Sequence, residues 1–333
     1  MVYSPMDVDK KKMEAISALC KQVKNTTKMN EYKSLSDIPF SGERAVIVNV
    51  HTLLCTTLAI LSTRRYMDMP LLVIDCPLNG QSDAVALRKL QTECDFDLIC
   101  LPLRQHGDTL DDLFMHIKSE WLYLIDSDVE VLNGEALHMM RTMRQKNQVM
   151  EKNQIFGVGM KQTSGYGVRM QRHWYYKERM YIPYCCLNVA LVREEIERGC
   201  SFNIASKTNL SKTGGAIRKV RSKLEKGQLF KCAKMADSLL DIFRKSHKGH
   251  STDIIYYDTG GLLFETLQAR GMLYMDWSFH TYPAYVTHFC GITRNEMYSN
   301  EPFCSSMEST ADFIRNRLLT EYAFGMEYYE SVS

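Results

Sequence analysis

The feature that most constrains the fold of this chain is a regular alternation of apolar runs and helix-like segments between residues 45 and 126. Four runs rich in β-branched and other apolar residues predict strands, at 45–50, 71–75, 97–103 and 121–126. The segments between them have the length and pattern of helices, at 52–66, 82–90 and 109–118. Strands that alternate with helices in this way form βαβ units and a mostly parallel sheet. This part of the chain therefore predicts an α/β fold.

The rest of the chain is less regular. Its patterns predict helices at 10–24, 135–147, 193–199 and 261–269, and strands at 155–160 and 186–192. With 45% hydrophobic and 24% charged residues, the composition excludes disordered, collagen-like and coiled-coil classes.

Cysteine use and the N-terminus indicate where the protein works. The 11 cysteines form no Cys-x-x-Cys pair, and several, such as Cys76, Cys100 and Cys186, fall in apolar runs. This favours reduced, buried thiols over a structural zinc site or a disulfide scaffold. The first residues are charged where a signal peptide would be apolar, and no apolar run approaches the roughly 20 residues of a membrane span. We therefore expect a cytoplasmic protein.

The most informative motif follows the fourth predicted strand. This strand ends in Asp126, and Asp128 comes two residues later. Ligands of open α/β sheets bind outside the carboxyl ends of the strands. Two carboxylates there can hold a divalent cation that bridges the oxygens of a diphosphate. Asp-Ser-Asp also occurs as ordinary turn chemistry, but its place after three βα units favours a metal site.

Two segments resemble the GT-A glycosyltransferases, and glycosyltransferase family 2 most closely. LLVIDCPLNGQSDAVALRKL at 71–90 is similar to the second βα unit of that family, and HIKSEWLYLIDSDVEVL at 116–132 is similar to its metal-binding strand. The resemblance covers residues 43–132 well and continues more loosely to about 295. It implies a GT-A (Rossmann-like) fold, a mostly parallel sheet flanked by helices with a basic helical insertion and a C-terminal extension.

The resemblance also implies an organisation of the chain. The expected parts are an N-terminal helical extension (1–40), a glycosyltransferase domain (41–300) and a C-terminal helical tail (301–333). Within the domain, we expect a nucleotide-binding half at 43–132, an acceptor half at 133–300 and a basic insertion at about 203–250.

The resemblance implies a nucleotide-diphosphate sugar as donor and Mn²⁺ or Mg²⁺ as cofactor. The implied metal ligands are Asp126, Asp128 and His288. The implied nucleotide contacts are His51, Thr52, Asp75, Arg104, His106, Asp126 and Arg294. Structural alternatives remain open, because Thr52 and the Ser82-Asp83 pair can cap helices and His288 can be a half-buried structural histidine.

An inverting transferase needs a carboxylate base that takes the proton of the acceptor hydroxyl. Asp258, before Gly260 and Gly261, is the predicted base, although the family often carries Glu-Asp where this chain has Tyr-Asp. The alternatives are Asp253, Glu265, a purely capping role for Asp258 or Thr259, and a retaining enzyme. The expected acceptor is a hydroxyl of a glycan or of a lipid-linked molecule. The Trp174, Tyr175 and Tyr176 side chains can stack on sugar rings or pack in the core, and Asn188 can point into the cleft.

Other functions fit the sequence less well. A haloacid-dehalogenase-like phosphatase also uses Asp-x-Asp after a strand, but there the motif belongs to the first strand and is commonly followed by Thr or Val where this chain has Glu130. A sugar-phosphate nucleotidyltransferase needs an early glycine-rich loop, and residues 45–65 contain no glycine. A non-catalytic module that binds a nucleotide sugar or a partner remains open.

The net charge of +2 conceals an uneven distribution. Residues 201–250 hold 12 Lys or Arg against three acidic residues, a local charge of +9, which leaves −7 for the rest of the chain. The total charge by itself says nothing about nucleic-acid binding, and we expect no nucleic-acid partner. The basic segment at 207–248 is either a solvated surface or a peripheral contact with anionic lipid at the inner face of a membrane.

Overall fold

The computed structural model describes residues 30–147, 154–162, 174–176, 179–208, 254–276, 285–289 and 305–330. Its strands are β1 (Glu31–Tyr32), β2 (Ser41–Asn49), β3 (Leu71–Asp75), β4 (Asp97–Cys100), β5 (Ser119–Asp126), β6 (Val129–Val131), β7 (Ile155–Gln162), β8 (Trp174–Tyr176), β9 (Arg179–Asn188), β10 (Ala205–Thr208), β11 (Ile254–Tyr257), β12 (Leu273–Asp276) and β13 (Val286–His288). Its helices are α1 (Leu53–Tyr66), α2 (Ala84–Gln91), α3 (His106–His116), α4 (Glu135–Asn147), α5 (Val189–Glu197), α6 (Gly261–Ala269), α7 (Ser305–Tyr322) and α8 (Glu327–Glu330), with a 3₁₀ turn at Leu35–Asp37.

The centre of the molecule is an eight-stranded sheet in the order β1-β4-β3-β2-β5-β9-β7-β12. All neighbouring pairs from β1 to β5, and the β7–β12 pair, are parallel. Only β9 runs antiparallel to both of its neighbours, β5 and β7. The predicted α/β class with a mostly parallel sheet is therefore confirmed. A three-stranded sheet (β10-β11-β8) and a two-stranded sheet (β13-β6) accompany the central one.

Helices cover both faces of the central sheet. Successive side chains of a strand point to opposite faces, so Ala45 and Ile47 belong to one core cluster and Val46 to the other. The first cluster contains apolar residues of α1, α2 and α4, and the second contains those of α3, α5 and α6. Residues 45–47, 71–74 and 121–125 of β2, β3 and β5 are buried within the sheet, and their sequences are accordingly continuously apolar rather than alternating.

One predicted element is wrong. Residues 186–192 were expected to form one strand, but β9 ends at Asn188 and α5 begins at Val189. The Asn188 side chain accepts a hydrogen bond from the Leu191 backbone N–H at 3.0 Å, and this N-cap starts the helix. Asn188 thus caps α5. The Val189 and Val192 side chains face the second core cluster at helical spacing, which an apolar run cannot distinguish from strand spacing.

The first turn of α3 also differs from the prediction. The helix was expected at 109–118 and is found at His106–His116. Asp108 lies in its first turn, where a negative charge stabilises the helix N-terminus. Strand β4 is correspondingly shorter than the predicted 97–103 and ends at Cys100.

The C-terminal helix α7 packs on α1. Its residues Ile314 and Leu318 form an apolar cluster with Leu54 and Leu58 of α1. Among the described residues, no helix is both long enough and apolar enough to cross a membrane. The predicted helix at 10–24 and most of the basic segment at 207–248 lie outside the described residues.

Candidate active site

Three side chains that the sequence named as metal ligands meet at one point of the fold. Asp126 is the last residue of β5, Asp128 lies in the turn that follows, and His288 is the last residue of β13. Strand β13 pairs antiparallel with β6 so that His288 lies opposite Val129, next to Asp128 in the chain. One ligand atom from each of the three residues lies within 4.8 Å of the others. We call Asp126, Asp128 and His288 the ligand cluster.

The imidazole of His288 has a partner on each ring nitrogen. Its Nε2 lies 3.0 Å from Oδ1 of Asp128, and its Nδ1 lies 2.5 Å from the hydroxyl of Tyr181 on β9. The Tyr181 and His288 rings meet edge to face, with centroids 5.7 Å apart. The Asp128 carbonyl also accepts a hydrogen bond from the Phe289 N–H at 2.9 Å. These contacts fix the ring of His288 against Asp128.

The charges in and around the ligand cluster favour the binding of a cation. Burial raises the pKa of the Asp126 carboxyl, and the negative charges of Asp128 and Asp258 raise it further. The imidazoles of His106 and His288 act in the opposite direction. A bound cation would favour the ionised carboxylates that otherwise repel each other here.

The residues of the ligand cluster fit a divalent cation. Carboxylates suit hard cations such as Mg²⁺ and Mn²⁺, and an imidazole in the set favours Mn²⁺ over Mg²⁺. The Asp128 side chain is 6% exposed and the His288 side chain 11% exposed, so both are largely shielded from water. A buried and a partly exposed aspartate with a convergent histidine form a donor set that a cation would satisfy. The ligand roles themselves stay a prediction.

The predicted base lies on a neighbouring loop. Asp258 is partly exposed and lies between β11 and α6. Its negative charge contributes to the raised pKa of Asp126. Its Oδ1 accepts a hydrogen bond from the Thr259 N–H at 2.9 Å, and its carbonyl accepts one from the Gly261 N–H at 2.9 Å. Gly260 has φ +72°, and a Cβ there would lie 2.7 Å from the Ile182 side chain, so the loop requires glycine at this position.

This loop is connected to the start of α3 through residues 201–203. The Gly260 N–H donates to the Phe202 carbonyl at 2.7 Å, and the Phe202 N–H donates to Asp111 of α3 at 2.9 Å. A Cβ on Gly107 would lie 2.5 Å from the Asn203 backbone nitrogen, so the two backbones touch there. The predicted base and His106 are thus held by one packed unit.

A second group of polar side chains lies beside the ligand cluster, at the ends of β2 and β3. We call it the carboxyl-edge network; its members are Asn49, Thr52, Thr56, Asp75, Ser82 and Asp83. Asn49 is fully buried, and its amide nitrogen donates to Asp75 at 2.6 Å and to Asp83 at 3.0 Å. Its oxygen accepts from the Thr52 backbone N–H and from the hydroxyls of Thr52 and Thr56. The Thr52 hydroxyl oxygen also lies 3.3 Å from the Ser127 hydroxyl and can accept its hydrogen, which joins the network to the turn between the two cluster aspartates.

Three predicted nucleotide contacts belong to this network or touch it. Asp75 is fully buried and accepts from Asn49 and from the Ser82 hydroxyl at 2.6 Å; burial raises its pKa. Thr52 is buried and stands at the N-cap position of α1 without a side-chain cap bond. His51 is 32% exposed, has φ +51°, and contacts Asp83 at 3.1 Å through Nδ1. Of the three, only His51 presents a partly exposed side chain; the nucleotide roles stay predictions.

The remaining predicted residues are more scattered. Arg104 is exposed and forms an ion pair with Asp112 of α3. His106 is exposed at the first residue of α3, and Glu265, an alternative base, is partly buried in α6. Arg294 and the alternative base Asp253 lie outside the described residues, as do the side chains of the aromatic run Trp174–Tyr176. The Ser82 hydroxyl, rather than the Asp83 carboxylate, accepts from the first N–H of α2.

Two residues of the site, Asn49 and Tyr181, were not predicted from the sequence. Asn49 had a signal, since it is the polar end of an otherwise apolar strand, in register with Asp75. The same kind of position drew attention to Asp75 and Asp126. Tyr181 had no signal, because its contact with His288 depends on two pairings, of β9 with the sheet and of β13 with β6, which sequence patterns do not specify.

A cavity of about 460 Å³ lies elsewhere. Its lining includes the first residues of three parallel strands, Ser41, Leu71 and Asp97. It therefore lies at the amino edge of the sheet, opposite the strand ends that carry the ligand cluster. Arg44 in its wall is 2% exposed and donates to Asp97 and to the Pro39 carbonyl.

The sequence matches no protein-family model and no curated protein. Solved structures to which part of this chain is similar include TarS of S. aureus (13% identity, TM-score 0.33, 46% of this chain and 30% of that one). Another is the apo-form glycosyltransferase GlyE of Streptococcus pneumoniae (13%, TM-score 0.32, 48% and 37%). A third is 4-diphosphocytidyl-2C-methyl-D-erythritol synthase of Anaerococcus prevotii (10%, TM-score 0.34, 50% and 77%). This chain spans about a third of the TarS and GlyE chains.

Proposed function

We propose that this protein is a metal-dependent glycosyltransferase that moves a sugar from a nucleotide-diphosphate donor to a hydroxyl of a glycan or of a lipid-linked acceptor. The observation that carries the proposal is the convergence of Asp126, Asp128 and His288 at the carboxyl edge of a mostly parallel sheet. This edge is where open α/β sheets bind their ligands. The resemblance of residues 71–90 and 116–132 to family 2 glycosyltransferases supports the same function.

In this proposal, the ligand cluster holds Mn²⁺ or Mg²⁺. Such a cation would supply positive charge to the diphosphate that departs with the nucleotide. His51, at the end of β2, contacts the nucleotide with a side chain that Asp83 orients. The carboxyl-edge network beneath it holds the ends of β2 and β3 in fixed positions relative to the Ser127 turn.

Asp258 acts as the general base of an inverting reaction. It stands near enough to Asp126 for its charge to raise the pKa of that carboxyl, so it lies within electrostatic reach of the proposed donor phosphates. Its carboxylate would accept the proton of the acceptor hydroxyl while that oxygen attacks the sugar carbon. The rigid loop around Gly260 positions it.

Two alternatives are less well supported. In a haloacid-dehalogenase-like phosphatase the first aspartate attacks phosphorus, and such an enzyme also carries the second aspartate. The feature here that favours the transferase is the convergent His288, whose Nε2 lies 3.0 Å from Oδ1 of Asp128. A non-catalytic module would retain the fold without needing three convergent ligand atoms. Turnover of a donor separates both alternatives from the transferase.

Hydrolysis of the donor in the absence of acceptor tests this function. We expect the protein to release nucleoside diphosphate from at least one nucleotide sugar in the presence of Mn²⁺, and we expect Asp128→Ala to reduce the release to the level measured with EDTA. Asp95→Ala is the matched control, because Asp95 is 59% exposed and only 3.9 Å from Arg64 in a weak surface pair. Equal release by the Asp128→Ala variant and the parent protein would refute the proposed site.

A further inference from the structure

The hydroxyl of Tyr181 lies where it can fix the orientation of the His288 ring. It lies 2.5 Å from Nδ1 of the imidazole, on the side of the ring away from Asp128, whose Oδ1 lies 3.0 Å from Nε2. Tyr181 comes from β9, an element that carries no member of the ligand cluster. The contact therefore links β9 of the central sheet to the β6–β13 pair.

The partners of the ring define its protons. A carboxylate oxygen only accepts, so an imidazole nitrogen 3.0 Å from Asp128 carries a hydrogen in the metal-free protein. In a neutral ring the other nitrogen, Nδ1, is then an acceptor, and the Tyr181 hydroxyl donates to it. To bind a cation, Nε2 must instead present its lone pair, and the ring hydrogen must stand on Nδ1.

A tyrosine hydroxyl is suited to both arrangements because it donates and accepts. We propose that Tyr181 is a positioning residue that holds the His288 ring in place in both states and stabilises the tautomer that binds the metal; this inference rests on the proposed metal site. With a cation held at Nε2, the ring hydrogen would stand on Nδ1, and the Tyr181 oxygen would accept a hydrogen bond from it.

Removing only the hydroxyl separates this role from simple packing. Phenylalanine at position 181 keeps the edge-to-face ring contact with His288 but offers no acceptor for an Nδ1 hydrogen. Loss of the hydrogen-bond partner of a metal-bound histidine typically weakens metal affinity by about 10- to 100-fold. We expect Tyr181→Phe to weaken Mn²⁺ binding within this range. Tyr123→Phe is the matched control, since the hydroxyl of that buried tyrosine of β5 donates to Glu43 at 3.4 Å rather than to a member of the ligand cluster.

The experiment is a calorimetric titration of Mn²⁺ into the parent protein and the two variants, with thermal unfolding as a check of folding. The expected result is weaker binding in Tyr181→Phe and unchanged binding in Tyr123→Phe. If Tyr181→Phe binds Mn²⁺ as tightly as the parent, the Tyr181 inference is overturned while the metal site stands. If the parent itself binds no Mn²⁺, both the metal site and this inference are overturned. Imidazole ¹⁵N shifts with Zn²⁺ as the probe provide a second readout: they should show the hydrogen on Nδ1, and a hydrogen on Nε2 would overturn the inference.

Discussion

At the scale of single residues, the site depends on buried polar groups that satisfy one another. Asn49 is the clearest case, because one fully buried amide makes five hydrogen bonds, two as donor to carboxylates and three as acceptor. A buried polar group without a hydrogen-bond partner costs free energy of folding, and a buried charged group without one costs more. The Asn49 amide therefore stabilises the fold and also fixes the edge of the sheet on which the nucleotide is proposed to bind.

We expect Asn49→Ala to lower the free energy of unfolding by a large amount. The substitution leaves Asp75 and Asp83 without an amide donor, and Asp75 is fully buried. We expect the free energy of unfolding to fall by about 3 kcal/mol or more in urea titrations. Asn30→Ala serves as the control, since that side chain makes only a 3.4 Å contact with Asp97 and a change below about 1 kcal/mol is expected. A loss as small in Asn49→Ala as in the control would show that the network adds little.

Much of the residue-level site was visible in the sequence. Asp126 and Asp128 follow a buried strand, and His288 sits in a Gly- and Arg-flanked segment, so the family resemblance named all three. Asp75 was also singled out, but its depth could not be anticipated, because burial depends on Ser82 and Asn49 closing over it. The role of Tyr181 could not be predicted either. Whether a tyrosine in an apolar stretch packs in the core or contacts a site residue depends on the pairing of strands that are far apart in the sequence.

At the scale of elements, the ligand cluster relies on a short strand pair that α7 supports. Glu130 of β6 is 2% exposed, and the Nη2 atom of Arg317 on α7 donates to its Oε1 at 2.6 Å. The Tyr322 hydroxyl donates to the same oxygen at 3.1 Å. Glu130 lies two residues from Asp128 and opposite Thr287, the neighbour of His288. The C-terminal helix thus anchors the pair of strands that bring two ligands together.

We predict that Arg317→Met destabilises the protein, because it leaves the buried Glu130 carboxylate without its cation. The expected loss in the free energy of unfolding is about 2 kcal/mol or more, less than for a fully buried pair because Arg317 is 27% exposed. Arg315→Met on the same helix is the control, since it disrupts only a surface pair with Asp312 and should cost less than about 1 kcal/mol. Equal unfolding midpoints for the two variants would argue against this anchoring role.

Several element boundaries agree with those predicted from the hydrophobic pattern. The bounds of β3, α4 and α6 are those predicted, and the parallel order of the first strands follows from their alternation with helices. The prediction failed at 189–192, where an apolar run continues from β9 into α5 and Asn188 decides the change. The β6–β13 pair was not predicted at all, because three-residue strands carry too little pattern to identify.

At the scale of the whole molecule, the sheet explains why chemistry collects at one edge. Strands β2, β3 and β5 run parallel and end in Asn49, Asp75 and Asp126, so three polar side chains emerge at the same edge. The mostly parallel α/β fold was predictable because the strands and helices alternate. The division into extension, main domain and tail, and a membrane contact of the basic segment at 207–248, stay predictions.

The proposed function requires that the ligand cluster binds a nucleotide-diphosphate sugar through a divalent cation. The most direct test is a binding screen of UDP-, GDP-, dTDP- and CMP-sugars against the full chain, by calorimetry, with Mn²⁺, with Mg²⁺ and with EDTA. We predict that at least one diphosphate donor binds with Mn²⁺ or Mg²⁺ and that EDTA abolishes or greatly weakens its binding. Failure of every donor to bind with either cation, or binding that is unchanged in EDTA, would contradict the account.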